Sequence, residues 1–374
     1  MRVRGAVLRK MALPRPYAGS RPLEIVELDL APPGPGELLV RVRAAGLCHS
    51  DLSVIDGSRP RVMPMVLGHE AAGEVVELGA DVSGFAPGDH VVLAFVPSCG
   101  SCLACRSGRP ALCGPGAVAN TAGSLLSGGR RWSDGGSGQL HHHLGVSAFA
   151  DHVVVSARSA VRVDPELPFE VAALFGCAVL TGVGAVVNTA GVAPGDRVAV
   201  FGLGGVGLAA LLGARVSGAR TLVAVDVVEA KLDLARELGA THTVAAGASA
   251  VEAVRAATDG GADHAIETVG NEGVLADAYA ATRPGGTTVT VGLPHPDSML
   301  SIPALSLVAE ERTLRGSYLG SCVPERDLPR FIDLHRAGSL PVERLLTHRL
   351  SLDEINEGFD RLASGEAVRQ AVLF

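Results

Sequence analysis

Four cysteines are close enough in the sequence to bind one metal ion. Cys99, Cys102, Cys105 and Cys113 lie in the run VPSCGSCLACRSGRPALC. Four thiolates with this spacing can surround a tetrahedral zinc ion completely, which is the arrangement of a structural site. An iron–sulfur cluster or a group of reactive thiols are the alternatives. The chain has seven cysteines in all, and this odd number together with the C-x-x-C spacing argues against a disulfide framework.

A second set of metal-binding residue types is spread along the chain. Cys48 begins the string Cys-His-Ser-Asp, His69 lies in Gly-His-Glu, and Cys177 stands alone. Each by itself could be a core residue. Together, two thiolates and one imidazole would leave the fourth position of a zinc ion open, as in catalytic sites. Asp51 and Glu70 are the carboxylates placed to orient such ligands.

A glycine-rich string points to a dinucleotide site. Gly202, Gly204 and Gly207 form G-x-G-x-x-G between a predicted strand and a predicted helix, and Asp226 ends the next predicted strand. The glycines allow a tight turn, close approach of the pyrophosphate, and close helix–sheet packing. Asp226 would accept hydrogen bonds from the adenosine ribose and repel a 2′-phosphate, which favours NAD over NADP. The alternative is a Rossmann domain that binds another type of ligand.

The elements that would position this turn alternate regularly. Short apolar runs and helical segments follow one another from about residue 195, which predicts a doubly wound parallel sheet. The predicted strands are 197–202, 221–226, 264–269 and 287–292, and the predicted helices are 205–217, 228–238 and 274–281.

Composition limits the class of protein. The chain has 374 residues, enough for two domains, with 47% hydrophobic residues and a net charge of −7. Nothing in that charge attracts nucleic acid or an anionic membrane. The charged N-terminal segment lacks the apolar core of a signal peptide. Residues 171–195 carry no charge, but their glycines and Pro194 favour a buried helix and turn over a membrane span. We therefore expect a soluble, cytoplasmic protein.

Two segments between these motifs are harder to interpret. Residues 114–138 are rich in glycine and serine, which predicts an irregular surface loop. His141, His142 and His143 follow it. Adjacent side chains converge poorly on one ion, so a solvated loop is favoured over a metal site.

Taken together, the motifs resemble the zinc-dependent, medium-chain alcohol dehydrogenases. The resemblance covers nearly the whole chain, from the Cys48 and His69 strings and the four-cysteine lobe to the Rossmann fingerprint and the C-terminal SGEAVRQAVLF. It implies an α/β protein with a GroES-like, mainly-β catalytic domain from residues 1–178 and 318–374. A Rossmann coenzyme domain would occupy residues 179–317.

The resemblance also implies roles for individual residues. Cys48, His69 and Cys177 would hold a catalytic zinc, and the four-cysteine lobe a structural one, giving two zinc ions per subunit. Ser50 would take the alcohol proton, and Phe95 would line the substrate pocket. The implied NAD-binding residues are His49, Thr181, Gly202, Gly204, Gly205, Val206, Gly207, Asp226, Lys231, Val269, Val291 and Arg369.

Two positions depart from the family pattern. Members that extend the proton relay often carry a histidine where this chain has Ser53. The class III members carry an arginine for glutathione's carboxylate where this chain has Ala117. The first departure leaves a hydroxyl or water to continue the relay, and the second argues against a glutathione adduct as substrate.

The expected function is the reversible oxidation of primary or aromatic alcohols to aldehydes with hydride transfer to NAD+. Zinc lowers the pKa of a bound hydroxyl, and the nicotinamide accepts the hydride. One alternative is a thiol-dependent formaldehyde dehydrogenase. The other is a protein that binds NAD and zinc without catalysis. A homodimer, or else a tetramer, is expected by analogy, with the strand-like residues 313–320 either pairing between subunits or lying within one.

Overall fold

The chain divides into two units. A computed structural model describes residues 1–135 and 138–374. The first unit contains Met1–Cys177, Val323–Pro329 and Leu346–Phe374, and the second contains Ala178–Cys322 and Arg330–Leu345.

The first unit is mainly β-structure, as predicted. Strands β1, β2, β7, β8 and β4 form a closed barrel in that order, and β10-β6-β5-β3-β18-β17 form a sheet in which β9 also pairs with β3. The bounds are β1 Arg2–Leu8, β2 Leu23–Leu30, β3 Glu37–Gly46, β4 Met65–Val66, β5 Glu70–Leu78, β6 His90–Leu93, β7 Trp132–Ser133, β8 Gln139–His142, β9 His152–Ser156, β10 Ala160–Arg162, β17 Leu346–Leu350 and β18 Arg369–Leu373.

Burial of apolar strand faces forms the core of this unit. Trp132, Phe149 and Phe359 are fully buried, and the rings of Phe149 and Phe359 meet edge to face with centroids 5.9 Å apart. The helices around the sheets are α1 Tyr17–Ser20, α2 His49–Ile55, α3 Leu103–Arg106, α4 Gly114–Ala122, α5 Phe169–Leu174 and α13 Ile355–Ser364.

The prediction of an irregular loop over 114–138 is wrong in its first part and at β7. Residues Gly114–Ala122 form a helix because Cys113 caps it, accepting a hydrogen bond from the Gly116 N–H, and Pro115 fits the first turn. Gly123 ends the helix in the left-handed conformation. Glycine and proline at helix ends resemble loop composition, which explains the error. Residues 136 and 137 lie outside the described residues.

The second unit confirms the predicted doubly wound sheet. Its six strands are all parallel in the order β13-β12-β11-β14-β15-β16. The predicted elements all appear, while strand β13 and the helix after it were not predicted from the sequence. The bounds are β11 Arg197–Phe201, β12 Thr221–Asp226, β13 His242–Ala245, β14 Ala262–Glu267, β15 Thr282–Thr290, β16 Thr313–Gly316, α6 Leu180–Gly184, α7 Gly205–Val216, α8 Glu229–Glu237, α9 Ala250–Ala257, α10 Glu272–Ala281 and α11 Ala304–Ala309, while α12 Pro324–Arg336 runs from residues of the first unit into the second.

The uncharged segment is a core helix, as predicted. Residues Phe169–Ala190 form one helix with two π-helical stretches, Phe175–Val179 and Ala185–Ala190. This helix is long and apolar enough to cross a membrane, yet 89% of its most apolar window is buried inside the protein. The burial explains the hydropathy without a bilayer.

Candidate active site and metal centres

Helix α2 presents the first group of site residues. Cys48 is its N-cap in extended conformation, and His49, Ser50 and Asp51 form its first turn. Asp51 is completely buried, whereas Ser50 is half-buried and His49 is exposed. One short turn therefore directs a thiol and a carboxylate into the core while it leaves two polar groups accessible.

Two distant residues converge on the thiol of Cys48. His69 lies between β4 and β5, and Cys177 lies in the π-helical stretch Phe175–Val179. The Sγ atoms of Cys48 and Cys177 and one ring nitrogen of His69 all lie within 4.8 Å of one another, with Cys177 Sγ 3.5 Å from His69 Nε2. All three residues are buried.

This geometry fits zinc. Sulfur and nitrogen ligands at about 2.3 and 2.1 Å from a tetrahedral zinc lie about 3.6 Å apart, close to the observed 3.5 Å. Two thiols and one imidazole give the donor set of a catalytic site with one open position. The structure thus brings together the three residues that the sequence predicted as a set.

The two thiols influence each other. A hydrogen bond from Cys177, together with the charge of His69, holds the pKa of Cys48 well below its usual range despite burial. The same contact and burial raise the pKa of Cys177. One thiolate is therefore favoured even before a cation is considered, and a divalent cation would stabilise both.

Asp51 orients the imidazole from its other side. Asp51 Oδ2 lies 3.0 Å from His69 Nδ1, and its Oδ1 accepts a hydrogen bond from the Gly68 N–H at 3.1 Å. Although burial disfavours the imidazolium, Asp51 and Cys48 raise the pKa of His69 well above its usual value. A carboxylate at Nδ1 keeps the proton there and leaves Nε2 to face the two sulfur atoms.

Glu70 and Arg369 form a buried ion pair in the same unit. Arg369 Nη2 lies 3.0 Å from Glu70 Oε2, and Arg369 Nη1 donates to the Leu47 carbonyl at 3.1 Å. Burial raises the pKa of Glu70 to about 7, although the guanidinium of Arg369 opposes the rise. The guanidinium of Arg369 therefore also lies close to Cys48 and is a fixed positive charge beside its thiolate.

The four-cysteine lobe forms the second candidate metal centre. The Sγ atoms of Cys99, Cys102, Cys105 and Cys113 lie within 4.8 Å of one another. Cys102 Sγ and Cys113 Sγ are 3.9 Å apart, near the about 3.8 Å expected for two thiolates on one tetrahedral zinc. Hydrogen bonds from Ser101 lower the pKa of Cys99 to about 6, which favours the thiolate. No carboxylate or histidine joins this group among the described residues, so a closed site of sulfur ligands results.

In the second unit, the fingerprint forms the turn between β11 and α7. Gly202 has a positive φ of 90°, and a Cβ on Gly207 would lie only 1.8 Å from the Gly202 carbonyl oxygen. A Cβ on Gly204, by contrast, would meet nothing within 4 Å. The turn is thus closely packed on the protein side and open at Gly204, and the first amides of α7 remain available for an anion.

Asp226 lies at the end of β12, beside this turn. Its Oδ2 accepts from Leu203 N at 2.6 Å and its Oδ1 from Val228 N at 2.9 Å, so the buried carboxylate is firmly held. Val227, which follows, is 81% exposed. Lys231 lies in the first turn of α8, half-buried.

The remaining predicted coenzyme residues of this unit are Thr181, Val206, Val269 and Val291. Thr181 is buried, and its hydroxyl has no hydrogen-bond partner among the described residues. Val206 follows Gly205 in α7, Val269 is 52% exposed after β14, and Val291 follows β15.

Two residues were missed by sequence reasoning. Glu267 is buried at the end of β14, and its Oε1 accepts from the backbone N–H groups of Val269 and Gly270. His143 was assigned to a solvated loop, which is wrong because His142 and His143 are both buried. His143 Nδ1 lies 3.1 Å from Asp51 Oδ1. Neither Glu267 nor His143 could be recognised from motif spacing, because the contacts of each depend on how the chain packs.

Ser50 and Phe95 lie near the predicted catalytic metal site. The ring of Phe95 meets that of His69 edge to face, with centroids 5.3 Å apart. The Ser53 hydroxyl donates to the His49 carbonyl at 2.9 Å, within its own helix. Ser53 therefore does not point its proton outward in this structure.

Comparisons with known proteins agree with this site. Residues 34–165 match the alcohol dehydrogenase GroES-like domain, and residues 205–336 match the zinc-binding dehydrogenase family. The chain is 40% identical to geraniol dehydrogenase of Castellaniella defragrans, covering 94% of this chain and 95% of that protein. It is 39% identical to S-(hydroxymethyl)glutathione dehydrogenase of Escherichia coli, covering 96% and 98%.

A solved structure leads to the same conclusion. Benzyl alcohol dehydrogenase from Acinetobacter calcoaceticus superposes with a TM-score of 0.93 at 31% identity, covering 100% of this chain and 99% of that chain. Its fold, the family matches and the two donor sets of zinc ligands all agree. The protein is an NAD-dependent zinc alcohol dehydrogenase, and the chain belongs to the zinc-dependent, medium-chain alcohol dehydrogenase family.

Proposed function

We propose that this enzyme oxidises primary and aromatic alcohols to aldehydes, reversibly, at a zinc ion held by Cys48, His69 and Cys177. One observation carries the proposal: two sulfur atoms and one imidazole nitrogen from three distant parts of the chain meet within 4.8 Å in a buried site. When bound, zinc acts as a Lewis acid on the alcohol oxygen, and NAD+ accepts the hydride.

The residues of the chain position the zinc ligands and transfer the proton of the alcohol. Asp51 orients His69, and the Glu70–Arg369 pair places a cation beside Cys48. Ser50, accessible on the first turn of α2, takes the proton from the alcohol hydroxyl. Because the Ser53 hydroxyl bonds within the helix, Ser50 passes its own hydroxyl proton to water as it accepts the proton of the alcohol.

The apolar character of the site supports the substrate class. Phe95 packs against the ring of His69, which places an aromatic surface beside a zinc ligand. Two of the similar proteins act, by their names, on geraniol and benzyl alcohol, which are both primary alcohols. An aromatic wall favours unsaturated and aromatic substrates through ring contacts.

A second candidate function is thiol-dependent formaldehyde oxidation. The 39% identity to S-(hydroxymethyl)glutathione dehydrogenase favours it. Ala117, however, lies exposed on α4 beside the exposed Val118, so an apolar surface occupies the position where class III members carry an arginine. Ala117 therefore offers no positive charge to a glutathione carboxylate.

The second unit supplies the coenzyme site. The turn Gly202–Gly207 and the amides of α7 would hold the pyrophosphate, and Asp226 the adenosine ribose. Lys231 would approach that ribose, Thr181 and Val206 would support the nicotinamide side, and Val269 and Val291 would also contact the coenzyme. The unpartnered hydroxyl of Thr181 supports its assignment. His49 and Arg369 of the first unit would approach the pyrophosphate, although Arg369 is committed to Glu70 in this structure.

We also propose a homodimer in the cytoplasm, with a tetramer as the alternative. Strand β16 is the last strand of the parallel sheet, and its burial pattern is largely exposed. Helix α11, which precedes it, exposes Leu305 at 76% and Val308 at 79%. An exposed edge strand beside apolar side chains is typical of a surface that pairs with a second copy.

The test is NADH formation by purified, zinc-loaded enzyme. Benzyl alcohol, geraniol, ethanol and a secondary alcohol are compared with formaldehyde, the last with and without added thiol. Turnover of free aromatic and allylic alcohols supports the proposal. If formaldehyde is the only substrate turned over, and only when thiol is added, the result supports the second candidate function instead. Cys177→Ala, which removes one of the three proposed zinc ligands, is expected to abolish turnover.

A further inference from the structure

The buried carboxylate of Asp51 contacts two histidines, of which only one is a proposed zinc ligand. Asp51 Oδ2 lies 3.0 Å from His69 Nδ1, and Asp51 Oδ1 lies 3.1 Å from His143 Nδ1. The Gly68 N–H donates to the same Oδ1. The exposed fractions of Asp51, His69 and His143 are 0, 1 and 2%. Both imidazole contacts are bent, since neither N–H points straight at its oxygen, but both distances are those of hydrogen bonds.

His143 is held rigidly where it meets this carboxylate. It follows β8, its N–H donates to Ser147 Oγ at 2.8 Å, and its carbonyl accepts from Val146 N at 3.0 Å. Its ring meets the ring of His69 edge to face, with centroids 5.5 Å apart and planes at 89°. The turn after β8 and the packed ring therefore fix the direction of Nδ1.

The physical consequence concerns the freedom of the carboxylate. A carboxylate that is held at one oxygen only can rotate about its Cβ–Cγ bond, and the imidazole it orients can then tilt with it. His143 and Gly68 hold the second oxygen of Asp51, so both oxygens are restrained. Groups that orient a metal-bound histidine affect metal affinity through such restraint.

We propose that His143 is a positioning residue that fixes Asp51, and through it His69, in the geometry that binds the catalytic zinc. This inference rests on the proposed function, because it takes His69 as a zinc ligand. His143 also lies in a competing arrangement: Asp51, His69 and His143 could themselves hold an ion, with ligand atoms within 4.8 Å. That arrangement would turn Nδ1 of His69 toward a metal and away from its role as donor to Asp51.

The test compares variants of His143 that differ in whether, and where, the side chain offers an N–H to Asp51. His143→Phe keeps an aromatic ring and removes the N–H, whereas His143→Asn restores an N–H near the place of Nδ1. His143→Gln places its amide farther out, near Nε2, and serves if His143→Phe does not fold. His142→Gln is the matched control, because His142 is equally buried but contacts Trp132 and the Arg131 N–H.

Zinc per chain is measured by metal analysis before and after incubation with increasing EDTA. Wild type is expected to hold two zinc ions. His143→Phe and His143→Gln are expected to lose one of them at a 10- to 100-fold lower chelator concentration and to keep the zinc of the four-cysteine lobe. His143→Asn and His142→Gln should behave like wild type. With Co2+ at the labile site, the visible absorption band should shift in His143→Phe and return in His143→Asn.

Three results would overturn the inference. They are unchanged zinc retention in His143→Phe and His143→Gln, equal loss in His142→Gln, or a third metal ion that disappears with His143. Failure of the proposed function looks different. If Cys177→Ala binds as much zinc as wild type, the ligand assignment itself is wrong, whatever the His143 variants do.

Discussion

Acid should destabilise the first unit through one buried histidine, His142. Its ring is fully buried in the barrel, and its Nε2 accepts a hydrogen bond from Arg131 N at 3.1 Å. Burial, with the nearby charges of Arg131 and Arg130, lowers the pKa of His142 from 6.5 to about 3. The folded state therefore excludes a proton that the unfolded chain accepts.

The sign and size follow from linkage. Between about pH 3 and 6.5 the unfolded state binds one more proton at His142 than the folded state, so stability is fully present above pH 6.5 and falls with decreasing pH. Each pH unit in this window costs about 1.4 kcal/mol. The full shift corresponds to about 5 kcal/mol, and about 3 kcal/mol should be lost by pH 4.5.

The protein contains its own reporter for this measurement. Trp132 is the only tryptophan, lies in the same barrel, and its ring centroid is 6.3 Å from that of His142. Urea unfolding followed by Trp132 fluorescence at several pH values between 7 and 4.5 gives the free energy of unfolding of this unit. His142→Gln keeps an acceptor for the Arg131 N–H but cannot be protonated.

The difference between the two proteins isolates His142. Titrations that both share, including loss of metal in acid, cancel when the free energies are subtracted. The advantage of wild type over His142→Gln should shrink by about 2 kcal/mol between pH 6.5 and 4.5. Parallel pH curves for the two proteins would refute the reasoning.

Three further predictions concern the two metal centres and the coenzyme. Arg369→Met should destabilise the first unit by about 3–5 kcal/mol because it leaves the buried carboxyl of Glu70 without its cation, and adding Glu70→Gln should recover much of the loss in a double-mutant cycle of urea unfolding. Cys113→Ser should remove one zinc per chain in metal analysis and lower the melting temperature, while a preserved two-zinc content would contradict a four-cysteine site. Asp226→Asn should weaken NADH binding about 10- to 100-fold in a fluorescence titration, since it loses a charged acceptor, and unchanged affinity would exclude Asp226 from the coenzyme site.

The two proposed groups of metal ligands could be predicted because residue type and spacing carry the information. The four lobe cysteines lie within one short run, and their Sγ atoms are within 4.8 Å of one another. Cys48, His69 and Cys177 could be predicted only as a set, because their separation in the sequence does not show how close their side chains lie in the fold. The three-dimensional contact, with 3.5 Å between Cys177 Sγ and His69 Nε2, depends on how β5, α2 and the π-helical stretch pack.

Helix α4 shows where composition misleads. Its first residues are Gly114, Pro115 and Gly116, which are typical of turns. The Cys113 side chain accepts from the Gly116 N–H and caps the helix. Cys113 thus caps a helix and also belongs to the proposed four-cysteine metal site. Helix propensities do not include either role, so they predict a loop here.

The sequence by itself determined the family, the two donor sets for zinc, the glycine turn and the alternating elements of the parallel sheet. Each of these depends on residue types at short spacing, where chain geometry leaves few arrangements. Only the tertiary structure decided that Arg369 pairs with Glu70, that Asp51 contacts His143 as well as His69, and that His142 is buried without charge. These contacts join residues far apart in the chain, and their energies come from desolvation, which depends on everything packed around them.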